Sequence, residues 1–244
     1  MLSIPQSARI QIFRFFLGVF FPLILSEYAC AQFNSSGTGF YVSPDGIIMT
    51  AEHVVHNRTR ISVLYEGKLY EAKVLKEDVE NDLALISIAK TPTPFLRLAK
   101  SENIPVGLQI FAIGYPQLNL QGLAPKFSMG IINSDRGLKG SPKHFQFSAS
   151  IQKGSSGGPL IGPDLLVVGV IESKLGAVQG IGEKSVIDVP QNINFALKSG
   201  FVQELIAAYP TIPRPSSINP KLDKEPFEIF QEAKKSVVPI LTSQ

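Results

Sequence analysis

The sequence predicts an all-β fold, a barrel or a sandwich, with one helix near its C-terminal end. Three observations carry this. Short apolar segments recur along 244 residues at the spacing of strands and turns. Glycine (20) and proline (18) punctuate them, which suits tight connections better than long helices. Only Ala196–Tyr209 (ALKSGFVQELIAAY) has convincing helical periodicity.

In chain order, Gly39–Val42 and Ile47–Thr50 flank the turn Ser43-Pro44-Asp45-Gly46, a hairpin signature. Arg60–Tyr65, Leu69–Leu75 and Leu83–Ile88 read as further strands. So do Gln109–Ile113, Ser128–Ile132, His144–Ser148, Leu165–Ile171 and Ser185–Asp188. The helix 196–209 is followed by a Pro-rich linker, residues 210–220. The tail, 221–244, begins with a helical pattern and ends in Ser236-Val237-Val238-Pro239-Ile240.

The N-terminus reads as an address. Arg9 and Arg14 precede the apolar run Phe15–Leu25, and Ala29 and Ala31 flank Cys30. That order predicts a secretory signal over residues 1–31, cleaved after Ala31. The run is short for a span of about 20 residues. An uncleaved anchor is the rival reading, and membrane attachment follows only from it. Glu27 and Tyr28 argue against a lipid on Cys30. Cleavage would remove the only cysteine, leaving the core to hold the protein together. The composition is 44% apolar and 18% charged with a net charge of +3, too small an excess to argue for nucleic acid.

Residues 153–162, KGSSGGPLIG, pose the chemical question. They could form a plain loop, or one whose N–H groups converge beside a reactive hydroxyl. A serine nucleophile needs a base. Of the three histidines, His56 reads as solvent-facing and His144 as part of a polar turn. His53, in TAEHVV after a strand, can be presented from a strand end. Asp82, in NDLALI before an apolar strand, could be a turn residue or could orient an imidazole.

Together TAEHVV, NDLALI and GSSGGPL resemble the His, Asp and Ser motifs of chymotrypsin-like serine proteases, most nearly the bacterial HtrA or Deg-type branch. The likeness extends to Ser36-Gly37-Thr38-Gly39-Phe40, Ala112-Ile113-Gly114-Tyr115-Pro116, Met129-Gly130-Ile131-Ile132 and Asn194-Phe195-Ala196-Leu197. It implies two six-stranded antiparallel β-barrels, about residues 36–108 and 109–195, within a protease domain over 32–209. It implies His53 as base, Asp82 as its orienting acid and Ser156 as nucleophile. The oxyanion hole would be the N–H groups of Gly154 and Ser156. The substrate class would be protein or peptide. The PDZ domains usual in that family have no room in the remaining chain.

By family position Ser150 would lie at the base of the primary pocket and Ile151 would line it. Both are uncharged, which implies cleavage after Val, Ala, Leu or Ile. Glu172, Ser173 and Lys174 would pair with an extended substrate backbone. Lys153 stands where the family commonly has proline, so the loop could rest collapsed and the enzyme be latent. A protease-fold binding or chaperone-like module and an esterase-type acyl hydrolase are the alternatives. No metal-ligand cluster or phosphate loop is legible, so no metal or cofactor is expected. A homo-oligomer, commonly a trimer in that family, follows only by analogy.

The tail reads two ways. A chain cleaved after Ala31 leaves only five residues before Gly37, too few for the family's lead-in strand, and residues 226–242 resemble that strand, permuted to the C-terminus. Alternatively the tail is a surface amphipathic helix, which Pro239 favours because proline is awkward in a central strand.

Overall fold

The computed structural model describes residues 33–100, 104–172, 193–219 and 224–244. The expected signal segment, 1–31, and the expected strand Ser185–Asp188 lie outside them. The first part of the chain contains β1 (Ser35–Tyr41), β2 (Ile47–Thr50), a helical turn α1 (Glu52–Val55), β3 (Arg60–Tyr65), β4 (Lys68–Asp78) and β5 (Leu83–Ile88). The second part contains β6 (Gln109–Gly114), the turn α2 (Leu118–Gln121), β7 (Lys126–Ser134), β8 (His144–Phe147), β9 (Pro159–Ile161), β10 (Val167–Glu172) and β11 (Asn194–Lys198). The short α3 (Gln203–Ile206) and α4 (Pro226–Ala233) follow, and then β12 (Val237–Ser243).

Two closed six-stranded antiparallel barrels result. Their orders are β1-β12-β3-β4-β5-β2 and β10-β11-β8-β7-β6-β9. The strands that face both a barrel interior and the other barrel are apolar on both sides. In β5, Ala84, Ile86 and Ile88 fill the first barrel, while Leu83 and Leu85 join a core shared between barrels. In β6, Ile110 and Ala112 fill the second barrel, while Phe111 and Ile113 join the shared core. Such strands lose the alternation of a half-exposed sheet and read as continuous runs.

The first barrel is discontinuous in sequence, because β12 lies between β1 and β3. Its register sets Gly39 opposite Val238 and Gly37 opposite Ile240. Val238 and Ile240 point into the barrel, and Val237 and Leu241 into the shared core. Pro239 is accommodated at a place where no N–H is required. The Ser243 carbonyl accepts from Thr59 N at 3.1 Å, so the odd-numbered residues of β12 turn their polar groups toward β3. The β12–β3 ladder ends at Ile240 opposite Val63, and Pro239 faces β3 one residue beyond it.

The helix expected over 196–209 is a correction. Ala196, Leu197 and Lys198 belong to β11, paired with Phe145 and His144 of β8 and with Ile171, Val170 and Gly169 of β10. A 3-10 turn, Ser199–Val202, comes next, and only α3 is α-helical. Phe195, Ala196 and Leu197 fit a strand buried on both faces as well as a helix start, and two partner strands decide the matter. The Pro-rich segment after it packs on the body. Ile212 is buried, and Ser216 exchanges hydrogen bonds with Leu98 O and Lys100 N at 2.9 and 2.8 Å. The helix α4 starts with Pro226 after a reciprocal Glu225–Glu228 capping box.

Candidate active site

His53 sits on α1, at the rim of the first barrel. Glu52 N donates to Asp82 O at 3.1 Å, which stitches this turn to the start of β5. His53 N donates to Asp82 Oδ1 at 3.0 Å, and the imidazole Nδ1 lies 2.9 and 2.8 Å from Oδ1 and Oδ2. A carboxylate on Nδ1 selects the Nδ1–H tautomer and leaves Nε2 as the acceptor. Asp82 is 9% exposed and His53 38%, so a buried carboxylate holds an imidazole that solvent can reach. Asp82 has φ of +51°, a left-handed conformation uncommon outside glycine. The bonds to α1 hold it there.

The second barrel supplies the glycine-rich turn. Ser155 N donates to Gln152 O, and Gly158 N to Ser155 O, at 2.9 and 3.0 Å. Gly157 N donates to Ile171 O, and Ile171 N to Gly158 O, which anchors the turn beside the end of β10. Gly154 and Gly157 have φ of +98° and +81°, values that require glycine. Among the described residues the N–H groups of Gly154 and Ser156 donate to no acceptor. Two donors without partners, two residues apart, thus stand at the turn that carries Ser156, which is 5% exposed.

The barrels meet at this turn. A Cβ on Gly157 would stand 2.5 Å from Ala51 N and 2.4 Å from Thr50 Oγ1, so the residue after Ser156 touches those just before α1. Thr38 of β1, fully buried, joins the same point. Its N donates to Ser156 O at 3.0 Å, its Oγ1 donates to Gly154 O at 2.7 Å and accepts from Tyr115 N at 2.9 Å. Thr50 Oγ1 donates to Thr38 O at 2.8 Å. Thr38 was legible in the sequence only as part of an SGTGF-like segment. A hydroxyl between two glycines at the start of an apolar strand was the available signal.

Ser150 and Ile151 line a cavity of about 250 Å³ with Ala112, Ser128, Ile171 and Lys126. Lys126, a cation not foreseen from the sequence, lines it too, and no acid does so among the described residues. Glu172 ends β10 opposite Phe195. Its carboxylate meets His144 Nε2 at 2.9 Å, and Ser141 Oγ lies 3.0 Å from His144 Nδ1. His144 is therefore a paired residue of β8 and not part of a turn. Ser173 and Lys174 lie outside the described residues. His56, 44% exposed, is not simply solvated: its Nδ1 is 2.7 Å from Glu52 Oε1.

Two closed barrels, an acid-oriented imidazole at the rim of one and a glycine-rich serine turn at the rim of the other define the chymotrypsin-like class of fold. Residues 37–170 match the family model described as a trypsin-like peptidase domain, and the chain belongs to that family. It is related to the HtrA/DegP serine proteases. It is 38% identical over 154 residues to a probable periplasmic serine endoprotease DegP-like of Chlamydia pneumoniae, covering 60% of this chain and 31% of that protein. It is 32% identical over 212 residues to serine protease HTRA1 of Xenopus tropicalis, covering 83% of this chain and 40% of that protein. The chain thus spans well under half the length of these relatives. A crystal structure of the serine endoprotease from Yersinia pestis superposes with a TM-score of 0.57 at 26% identity, over 72% of this chain and 57% of that one.

Proposed function

We propose that the chain is a serine endopeptidase that hydrolyses extended or unfolded protein segments through an acyl-enzyme. The observation that carries this reading is the pairing of His53 Nδ1 with both oxygens of Asp82, on a turn whose preceding residues touch Gly157. In this reading Ser156 Oγ attacks the scissile carbonyl carbon and His53 Nε2 takes its proton. Asp82 stabilises the imidazolium. The carbonyl oxygen becomes an oxyanion held by Gly154 N–H and Ser156 N–H, each such donor contributing about 3 kcal/mol. Collapse breaks the C–N bond, and His53 returns the proton to the leaving amine. Water, deprotonated by the same imidazole, then releases the acyl group and restores Ser156.

The cavity beside Ser150 and Ile151 supports cleavage after small or medium apolar residues. Among the described residues no carboxylate lines it to receive Lys or Arg, and Lys126 would repel them. An extended substrate would add as a strand along the end of β10, at Glu172. A relative named periplasmic and the signal-like residues 1–31 support export from the cytoplasm.

The test compares wild type with Ser156→Ala on unfolded casein and with a fluorophosphonate probe. Wild type is expected to label and cleave, and Ser156→Ala to do neither. Labelling without cleavage of any peptide would instead indicate an acyl hydrolase or a latent enzyme. Absence of labelling would indicate a binding module.

A further inference from the structure

A second cluster of chemistry-bearing groups lies on α1 beside the His53–Asp82 pair. Glu52 and His56 are spaced i, i+4 and face each other, with His56 N donating to Glu52 O at 2.8 Å. Glu77 comes from β4, where it pairs with Ala84 of β5. Because Glu52 N is bonded to Asp82 O just before β5, α1 is drawn against this part of the sheet. The result is one imidazole nitrogen with a carboxylate oxygen on each side. His56 Nδ1 lies 2.7 Å from Glu52 Oε1 and 3.5 Å from Glu77 Oε1, and the three donor atoms all fall within 4.8 Å of one another.

Two features separate this from an ordinary surface ion pair. First, Glu52 is 7% exposed, so its carboxylate is more than nine-tenths buried and aimed into the cluster. Among the described residues no lysine or arginine is paired with it, and no backbone N–H reaches it. A carboxylate that deep requires a compensating charge. Second, one Nδ1–H can satisfy only one acceptor, yet two carboxylates converge on it. The arrangement holds one negative charge more than even a protonated imidazole balances. A divalent cation supplies what is lacking.

We propose that Glu52, His56 and Glu77 form a binding site for a divalent transition-metal ion, with Zn²⁺ the best match to the donor set. One imidazole with two carboxylates is borderline in softness, which suits Zn²⁺ and disfavours Ca²⁺ and Mg²⁺. Metal–ligand bonds of about 2.0–2.2 Å place tetrahedral donors about 3.3–3.6 Å apart. The separations of 2.7 and 3.5 Å lie within about 1 Å of that, and the two carboxylate oxygens are within 4.8 Å of each other. His56 and Glu77 are 44% and 34% exposed, which gives an ion a route in and leaves a fourth position for water. The ion would tie α1 to β4 and so fix the turn that also carries His53. The sequence concealed the site because Glu77 is brought to α1 only by the pairing of β4 with β5.

The test uses the full chain carrying Ser156→Ala, to prevent self-cleavage, after dialysis against EDTA. Calorimetric titration with Zn²⁺ is expected to give one saturable site per chain, and Zn²⁺ to raise the melting temperature. His56→Asn and Glu77→Gln should each weaken binding by about 100-fold or more, and the rise in melting temperature on adding Zn²⁺ should be lost in each. Co²⁺ in place of Zn²⁺ should give the intense visible band of a low-coordinate site, absent in His56→Asn. No saturable binding would overturn the proposal. So would binding that survives both substitutions, that is lost only in His144→Asn, or that gives a weak six-coordinate Co²⁺ spectrum. None of these readouts depends on peptide cleavage, so failure here and failure of the endopeptidase reading are distinguishable.

Discussion

Thr38 has one hydroxyl and one peptide unit, and both are committed to the site. Together they bond Gly154, Ser156, Thr50 and Tyr115. Thr38→Val keeps the shape and removes the hydroxyl, leaving Gly154 O and Tyr115 N buried without partners at about 1–3 kcal/mol each. Urea melts should show that loss, and peptide turnover should fall in kcat more than in KM, because Gly154 loses its anchor. Thr38→Ser should restore both; a Val variant with wild-type stability and turnover would contradict the role. Tyr115 makes a second prediction. Burial pushes its phenol up to about 12, and its OH donates to Val237 O at 3.3 Å. Above pH about 10 the unfolded tyrosine ionises while the native one still holds its proton. The unfolded state then binds fewer protons, so stability is lost as pH rises from about 10 to about 12. Burial raises Tyr41 in the same sense. Tyr115→Phe should therefore reduce, without abolishing, the decline in urea midpoint between about pH 9 and about pH 11. An unchanged decline would remove Tyr115 from the account.

At the scale of elements the C-terminal strand decides most. Val237, Val238, Ile240 and Leu241 are each at most 3% exposed. At about 1.5–3 kcal/mol per buried side chain, their burial contributes roughly 6–12 kcal/mol as an upper estimate. That is the size of a whole domain's stability, about 5–15 kcal/mol. Deleting residues 221–244 should therefore abolish cooperative melting and leave an aggregating chain, read by circular dichroism and gel filtration. A soluble truncation that melts like the parent would show that the first barrel closes without β12. The strands that needed least from the rest of the molecule were the ones legible in sequence. Arg60–Tyr65, Leu83–Ile88 and Ile47–Thr50 match β3, β5 and β2 residue for residue. Two cases were not legible, each for its own reason. β9 is three residues long and lies inside the glycine-rich stretch. β11 has an apolar run that fits two periodicities. β12 was legible as one of two readings of the tail, and Pro239, whose tolerance depends on where a neighbouring ladder stops, kept the sequence from deciding between them. The positions of His53 and Asp82 were readable as motifs. The contacts of Thr38, Lys126 and Glu77 with their clusters were not, since each depends on strand pairing across tens of residues.

For the whole molecule the question is what holds two barrels in the alignment that the site requires. The salt bridge Lys143–Glu80 crosses between them at 2.6 Å, but Glu80 is 81% exposed. Such pairs contribute about 0–1 kcal/mol, too little to fix the alignment. The apolar core does it instead. Of the described buried apolar residues, 25 fall in the cluster that runs through both barrels, against 13 in each barrel interior. The tail reinforces it from both sides. Phe230 of α4 packs against Phe127 of β7, with ring centroids 5.3 Å apart, while β12 completes the first barrel. Neither barrel can keep its outer strands covered once the other is lost, so the two should unfold together. Calorimetry of the Ser156→Ala chain should give one transition whose calorimetric and van't Hoff enthalpies agree. Phe111→Ala, in the shared core, should lower that single transition by about 3–5 kcal/mol. Two resolved transitions, with Phe111→Ala moving only one of them, would mean that each barrel is stable by itself. The approach of the Gly157 turn to Thr50 and Ala51 would then need a cause outside the core.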